Sequence, residues 1–439
     1  MPKLAKKTLV AAACLLMIFA LTHLAMSEVD KKEKPADDLY AQIELFSYAL
    51  TTVQAAYVDE PSSKDLIYGS MKGMLNSLDP HSQFLSPDDF TDLKTETEGK
   101  FGGLGIEISI KDDLLTVISP IEDTPAWKAG IKPLDKIVKI DDESTKDITL
   151  SEAVKKLRGD PGSKVDLTIF RESEGKVLEL TVTREIIHIH DVKDVMVLDD
   201  HIGYIRLTEF REDSFKEFHK GLETLKEQGA DSLILDLRNN PGGLLTVAID
   251  ITQEFLPEGQ VIVSTKSRNP SQNSIARSTN KNGAFLTWPM AVLINEGSAS
   301  GSEILAGALK DNKRAVTVGT KSFGKGSVQS VIPLPDGAGI KLTTSKYYTP
   351  SDVSIHGVGI QPDIVVEPVL ENPEESQKIK DLKKMEELFS DLENGKKAEK
   401  APSPEDPTET KNDARAKLLS DNQVQTAMNV IKGIKIYKK

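Results

Sequence analysis

Between Gly203 and Val318 the chain repeats one unit: a short apolar run, a connection, then a helical pattern. The apolar runs are Gly203–Leu207, Ser232–Leu237, Met290–Ile294 and Ala315–Val318. The helical stretches between them are Ser214–Lys226, Leu244–Phe255 and Ser300–Leu309. Runs of this length without an alternating polar face read as buried strands. Strand–helix repetition of that kind predicts an α/β layered core, placed here between residues 185 and 368.

The flanks have other textures. Leu39, Ile43, Phe46, Leu50, Val53 and Tyr57, then Leu66, Met71, Met74 and Leu75, recur at helical steps, and Asp79-Pro80 ends the pattern. Residues 28–98 are therefore expected to form a helical layer packed on a neighbour. From Gly99 to Arg184 short strands alternate with glycines: Leu104–Ile110, Leu114–Ile118, Val165–Arg171 and Val177–Val182. A capping box at Thr149-x-x-Glu152 opens a helix through Leu157, which Gly159 is placed to close. This makes a small, mostly β domain over residues 99–184. Residues 369–417 are rich in Lys, Glu, Asp and Pro and read as a charged linker, with a solvated helix over Lys378–Leu392. The last stretch, 418–439, carries an amphipathic helix at Gln423–Ile434 that docks on the core or on a second subunit. It and the N-terminal layer are the candidate elements for a homodimer.

Composition excludes several functions. Lys+Arg is 55 and Asp+Glu is 68, so the net charge is 55 − 68 = −13, which argues against nucleic acid as a partner. Lys3, Lys6 and Lys7 precede an apolar run from Thr8 to Met26, the pattern of an export signal or uncleaved signal anchor over residues 1–27. The protein is therefore expected to be exported, periplasmic or in the cell envelope, with membrane association through residues 8–26. Cys14, the only cysteine, lies early in that run, so the exported part has neither a disulfide framework nor a cysteine zinc site. His188, His190, His201, His219 and His356 show no H-E-x-x-H spacing, and no metal or cofactor is expected. His356 stands near a β segment, which leaves a Ser–His pairing open.

Two turns carry chemistry. Asn295-Glu-Gly-Ser-Ala-Ser-Gly-Ser-Glu303 follows an apolar strand and precedes a helix, a place where a serine projects from a tight backbone with main-chain amides beside it. Such a serine is a candidate nucleophile with an oxyanion site. Ser300-x-x-Glu303 is equally a capping box, and spacing ranks none of Ser298, Ser300 and Ser302. The second turn is Lys321-Ser-Phe-Gly-Lys-Gly-Ser-Val-Gln329. Lys325 between two glycines is either an exposed hairpin lysine or a base whose pKa burial lowers, with Gln329 able to orient its amine.

Together these turns resemble the carboxyl-terminal processing peptidases, or tail-specific proteases, of the serine–lysine type. That family combines a G-[ST]-A-S-[AG]-S-E turn, an F-G-K-G-x-x-Q turn and an upstream L-R-x-N-P-G-G turn, which stand here as Gly297–Glu303, Phe323–Gln329 and Leu237–Gly243. The spacing from Ser300 to Lys325 is 325 − 300 = 25 residues. The resemblance implies Ser300 as nucleophile, Lys325 as general base and Gln329 as the residue that orients the lysine. It implies oxyanion donors at Gly301 and in the turn at Gly242 and Gly243. The small β domain resembles a PDZ domain. Gly103-Leu104-Gly105-Ile106 matches the carboxylate-binding loop, and Thr124–Ile131 with Leu134–Ile137 matches the A-x-x-A-G-[IL]…D-x-I signature.

The expected chain is thus a mixed α/β multidomain protein with a helical N-terminal layer, a β-rich PDZ domain and an α/β layered serine-protease core. The implied function is an endopeptidase whose PDZ domain captures apolar carboxyl tails of proteins or peptides. Two rivals are a non-catalytic PDZ scaffold or chaperone and a lipid- or ligand-binding protein on the same core. Neither gives a reason for Ser300, Lys325 and Gln329 to occur together.

Overall fold

The computed structural model describes residues 39–111, 114–121, 123–369 and 407–437, the last stretch with side chains from residue 414. The expected export signal, Cys14 and the linker as far as residue 406, including Lys378–Leu392, lie outside the described residues. The chain divides after Ser77 into two compact units. In the first, helices form at Leu39–Ala56 and Ser63–Asn76, the second opened by the Ser62 hydroxyl accepting the Asp65 amide. None of the first helix's side chains is buried among the described residues.

The second unit begins earlier than the sequence suggested. Residues 78–98, expected in the helical layer, belong to it. Gln83–Leu85 is a strand paired antiparallel with Gly339–Lys341, and Pro87–Glu98 is a helix with a Ser86/Asp89 capping box. Three residues carry too little periodicity to read as a strand; the distant partner makes it one.

The 99–184 region is a β unit as expected. Its strands run in the order Ile106–Lys111, Leu114–Pro120, Lys136–Ile140, Lys164–Arg171, Lys176–Thr183, with Glu143–Ser144 added to the third. Helix Leu150–Leu157 is opened by the Thr149/Glu152 capping box and packs Ala153 and Leu157 on Val117, Ile137 and Ile169.

The core is a six-stranded sheet ordered Val192–Val197, Ile202–Leu207, Ser232–Asp236, Met290–Ile294, Val316–Gly319, Ile364–Val365. All pairs after the first are parallel. Strand side chains alternate between the two faces. Ile205, Leu233, Leu235, Val292 and Ile294 pack with helices Ser214–Glu227, Leu245–Gln253 and Gly301–Asp311. Tyr204, Ile234, Ala291, Leu293 and Val318 pack instead with Val424, Ala427, Met428 and Ile431 of the final helix, Asn422–Tyr437. That helix docks on its own core, which decides between the two placements left open above. The linker expectation fails at its end, because Pro407–Ser420 is also a helix. A proline is tolerated in the first helical turn, and no further proline or glycine interrupts this one.

Because Ile431 is fully buried between helix and sheet, Ile431→Ala is expected to lower unfolding stability by about 3 kcal/mol, read from urea denaturation.

A second, antiparallel sheet was not foreseen. The long strand Gly339–Tyr348 pairs with Ser327–Pro333 along one edge and with Gln83–Leu85 and Val261–Ser267 along the other; Ser274–Arg277 completes it.

Candidate active site

In a parallel sheet, the turns leaving the carboxyl ends of neighbouring strands lie side by side. Strands Ser232–Asp236, Met290–Ile294 and Val316–Gly319 are neighbours in register, so the turns Leu237–Gly243, Asn295–Ser300 and Thr320–Gly326 converge. Hydrogen bonds tie them together: the Ala299 amide to the Asn240 carbonyl at 3.0 Å, and the Phe323 amide to the Ser298 carbonyl at 3.0 Å.

This packing separates the three serines. Ser298 Oγ donates to the Leu237 carbonyl at 2.8 Å and Ser302 Oγ to the Asn240 carbonyl at 2.9 Å. Ser300 Oγ donates to no group among the described residues. Its backbone is at φ 52°, ψ −110°, a region non-glycine residues rarely occupy, at a strain of about 1–3 kcal/mol. Strain of this kind aims a side chain out of a strand-to-helix turn.

Gly242 lies directly against it. A Cβ there would fall 2.7 Å from Ser300 Cβ and 2.8 Å from the Gly301 nitrogen, and φ is 103°, so no larger residue fits. The Gly242 amide is already committed, donating to Asn240 Oδ1 at 2.9 Å, while Asn240 Nδ2 donates to the Leu207 carbonyl at 2.9 Å. Among the described residues, the amides of Gly243 and Gly301 have no acceptor. Of the two glycines in this turn, only Gly243 therefore keeps a free donor.

Glu303, read from sequence as a cap residue, organises the site. It is wholly buried. Its Oε2 accepts the Ser300 amide at 2.9 Å and the Lys325 amide at 2.8 Å. Oε1 accepts the Gly324 amide at 2.7 Å and Ser322 Oγ at 2.5 Å. Ser322 Oγ itself accepts the Ile360 amide, so its proton points at the carboxylate. Burial pushes the carboxyl up, opposed by these hydrogen bonds. All four partners are donors to the carboxyl. One oxygen thus fixes the backbones of Ser300 and Lys325 together.

The Lys325 side chain is half-buried, and its amine has no hydrogen-bond or ion-pair partner among the described residues. Burial, then the like charge of Lys341, hold it below the ordinary lysine value. His81 is pushed down by burial and then by Lys325. Gln329 is four residues on, and its Nε2 donates to Thr343 Oγ1 at 2.9 Å and Ser327 Oγ at 3.3 Å. The Ile355–Ile360 turn packs on the lysine loop: the Gly357 amide donates to the Gly324 carbonyl at 2.9 Å, and a Cβ on Gly326 would lie 2.2 Å from the His356 nitrogen. No histidine hydrogen-bonds to Ser300 among the described residues. No metal-holding cluster of His, Cys, Asp or Glu occurs there either.

Residues 201–366 match peptidase family S41, and residues 102–183 match a PDZ domain. A carboxy-terminal-processing protease of Bartonella bacilliformis is 43% identical over 367 residues, 82% of this chain and 83% of that protein. The chain belongs to peptidase family S41, the carboxyl-terminal processing proteases. A carboxyl-terminal-processing protease of Synechocystis is also 43% identical, over 71% of this chain and 74% of that one. Among solved structures, the photosystem II D1 C-terminal processing protease aligns at 30% identity over 74% of this chain and 92% of that chain, with a TM-score of 0.43.

The PDZ domain of this S41 peptidase has its own opening. Gly103, Leu104, Gly105 and Ile106 line a cavity of about 90 Å³ with Phe101, Ile108, Val154, Leu157 and Arg158. The Leu104 and Gly105 amides have no acceptor among the described residues, as a carboxylate-binding loop requires. Arg158, which the sequence did not single out, stacks 4.6 Å from the Phe101 ring centre at this groove.

Proposed function

We propose that this S41 peptidase is an endopeptidase that captures apolar carboxyl tails in its PDZ groove and cleaves near the carboxyl end with a Ser300–Lys325 dyad. The observation that carries the reading is the pairing around Glu303: a strained serine with an uncommitted hydroxyl and a half-buried, unpaired lysine, their backbones on one carboxylate oxygen. Neutral Lys325 takes the proton from Ser300 Oγ as it attacks the peptide carbonyl. The oxyanion lies between the amides of Gly301 and Gly243. Lys325 returns the proton to the leaving amine, and water then attacks the acyl ester by the same route. Gln329 orients the lysine. The basic and then apolar amino terminus supports export of the enzyme to the cell envelope.

The test is incubation of the full-length enzyme with an unfolded protein ending in apolar residues, intact masses being followed over time. Truncation from that tail, with a fluorophosphonate adduct at Ser300, is the expected result. Adducts elsewhere, or cuts independent of the tail, would overturn it.

The base must be neutral to act, so activity falls as pH drops through the lowered pKa of Lys325. Lys341, His81 and His356 are the charged or titratable groups around it, with Glu303 on its amide. Removing the like charge in Lys341→Met lets Lys325 hold its proton more firmly. The acidic limb of the kcat/KM profile is expected to move to higher pH.

A further inference from the structure

Gln329 Oε1 is buried with no hydrogen-bond partner, the one such side-chain atom among the described residues. An amide can usually relieve this by turning over, which makes its fixed orientation a question of what holds the other end. The answer runs across the antiparallel sheet. Gln329 lies opposite Thr343, just past a bulge at Val328/Gln329, and its Nε2 donates to Thr343 Oγ1 at 2.9 Å. The Thr343 amide donates to Ser82 Oγ at 3.1 Å, and the two hydroxyl oxygens stand 3.4 Å apart. Ser82 Oγ donates to Asp79 Oδ2 at 2.8 Å, while Asp79 Oδ1 accepts the amides of His81 and Ser82 at 2.7 and 2.8 Å.

The protons in this series have one consistent direction. Burial opposes ionisation of Asp79, but the Ser82 hydroxyl, the two amides and the Thr343 hydroxyl hold it below the usual carboxylate range, so it only accepts. Ser82 has a single proton and gives it to Asp79. The Thr343 hydroxyl in turn donates toward Asp79, so its proton is committed and its Oγ1 keeps a lone pair for an N–H donor. Only the nitrogen end of Gln329 satisfies it, and the oxygen end is turned the other way.

We propose that Asp79, Ser82 and Thr343 are a hydrogen-bond relay that fixes the polarity of the Gln329 amide, presenting its oxygen as acceptor to the Lys325 amine. They are positioning residues for the base, and the assignment rests on the Ser–Lys reading above. The same segment brings His81 within electrostatic reach of Lys325, and Gln329 stands four residues after that lysine. An acceptor at that point does two things: it aligns the amine toward Ser300, and it stabilises the protonated amine. Losing it lowers the turnover of the aligned base and also lowers the pKa of Lys325.

The polarity is testable because it can be reversed without changing shape. In Asp79→Asn the amide oxygen keeps the two backbone donors, and the new NH₂ donates to Ser82. Ser82 then turns its proton to Thr343, Thr343 donates to Gln329, and the glutamine presents nitrogen to the lysine. Thr343→Val removes the relay's middle member at nearly constant volume, while Thr343→Ser keeps the hydroxyl.

The experiment measures kcat, KM and the pH dependence of kcat/KM for the full-length enzyme and these three variants. Ser300→Ala and Lys325→Ala run beside them, and thermal unfolding is recorded for all. Expected are a fall in kcat of about 10- to 100-fold in Asp79→Asn and Thr343→Val, little change in KM, and an acidic limb shifted to lower pH. Thr343→Ser should restore both. The relay is wrong if Thr343→Val keeps the parent's plateau and acidic limb while Lys325→Ala is inactive. If Lys325→Ala retains activity, the dyad itself fails, whatever the relay variants do. Should Asp79→Asn not fold, the Val/Ser pair at Thr343 decides alone.

Discussion

Ser300→Ala and Lys325→Ala are each expected to reduce tail truncation by about 10⁴-fold or more, and the double variant to be no worse than either single one. In the proposed mechanism the two residues act on one proton in one step. Removing the nucleophile leaves nothing for the base to activate, and removing the base leaves a hydroxyl that is a poor nucleophile at neutral pH. Residues acting as a unit are grossly non-additive, which is what the comparison of single and double variants reads. What remains should be the modest acceleration supplied by binding and by the Gly243 and Gly301 amides, with water as the attacker. Both side chains sit on turns held by backbone hydrogen bonds, so the variants should unfold close to the parent temperature. Equal cleavage by parent and variants would move the nucleophile elsewhere.

Glu303→Ala is expected to abolish activity by more than about 100-fold and to cost on the order of 4 kcal/mol of stability. It leaves the Ser300, Gly324 and Lys325 amides and the Ser322 hydroxyl without their acceptor in a wholly buried place. Glu303→Gln should rescue neither property. Each carboxylate oxygen accepts two donors, so whichever side the amide nitrogen takes, it faces two N–H or O–H groups. Urea unfolding and kcat/KM measured on both variants check this. Full activity in Glu303→Gln would show that the carboxylate charge is dispensable and that Ser300 and Lys325 are held by other means.

What the sequence disclosed was local. The strands of the parallel sheet, the capping box at Thr149 and Glu152, and the glycine turns are all readable within a dozen residues of chain. The family resemblance then chose Ser300, which spacing alone could not, and the structure gives a physical ground for the same choice: its neighbours Ser298 and Ser302 are bound to main-chain carbonyls. Glu303 was legible only as a cap, since three of its partners lie 19 to 22 residues away in another turn. The strand at Gln83–Leu85 was lost for the same reason, because three residues have no period to detect. Gly242 and Gly243 looked alike in sequence; only the fold commits one amide to Asn240 and leaves the other free.

The convergence of separate turns on one edge of the sheet also governs when the protein can do harm. Ser82 and Thr343 are 261 positions apart, and the pieces that meet at Ser300 come from three successive strands. The candidate nucleophile, base and oxyanion donors all fall between Gly243 and Lys325, and they meet only when those strands pair. A polypeptide still being threaded or half collapsed carries no cutting power, however much of it has been made. Hydrolytic danger therefore waits on the pairing of those strands.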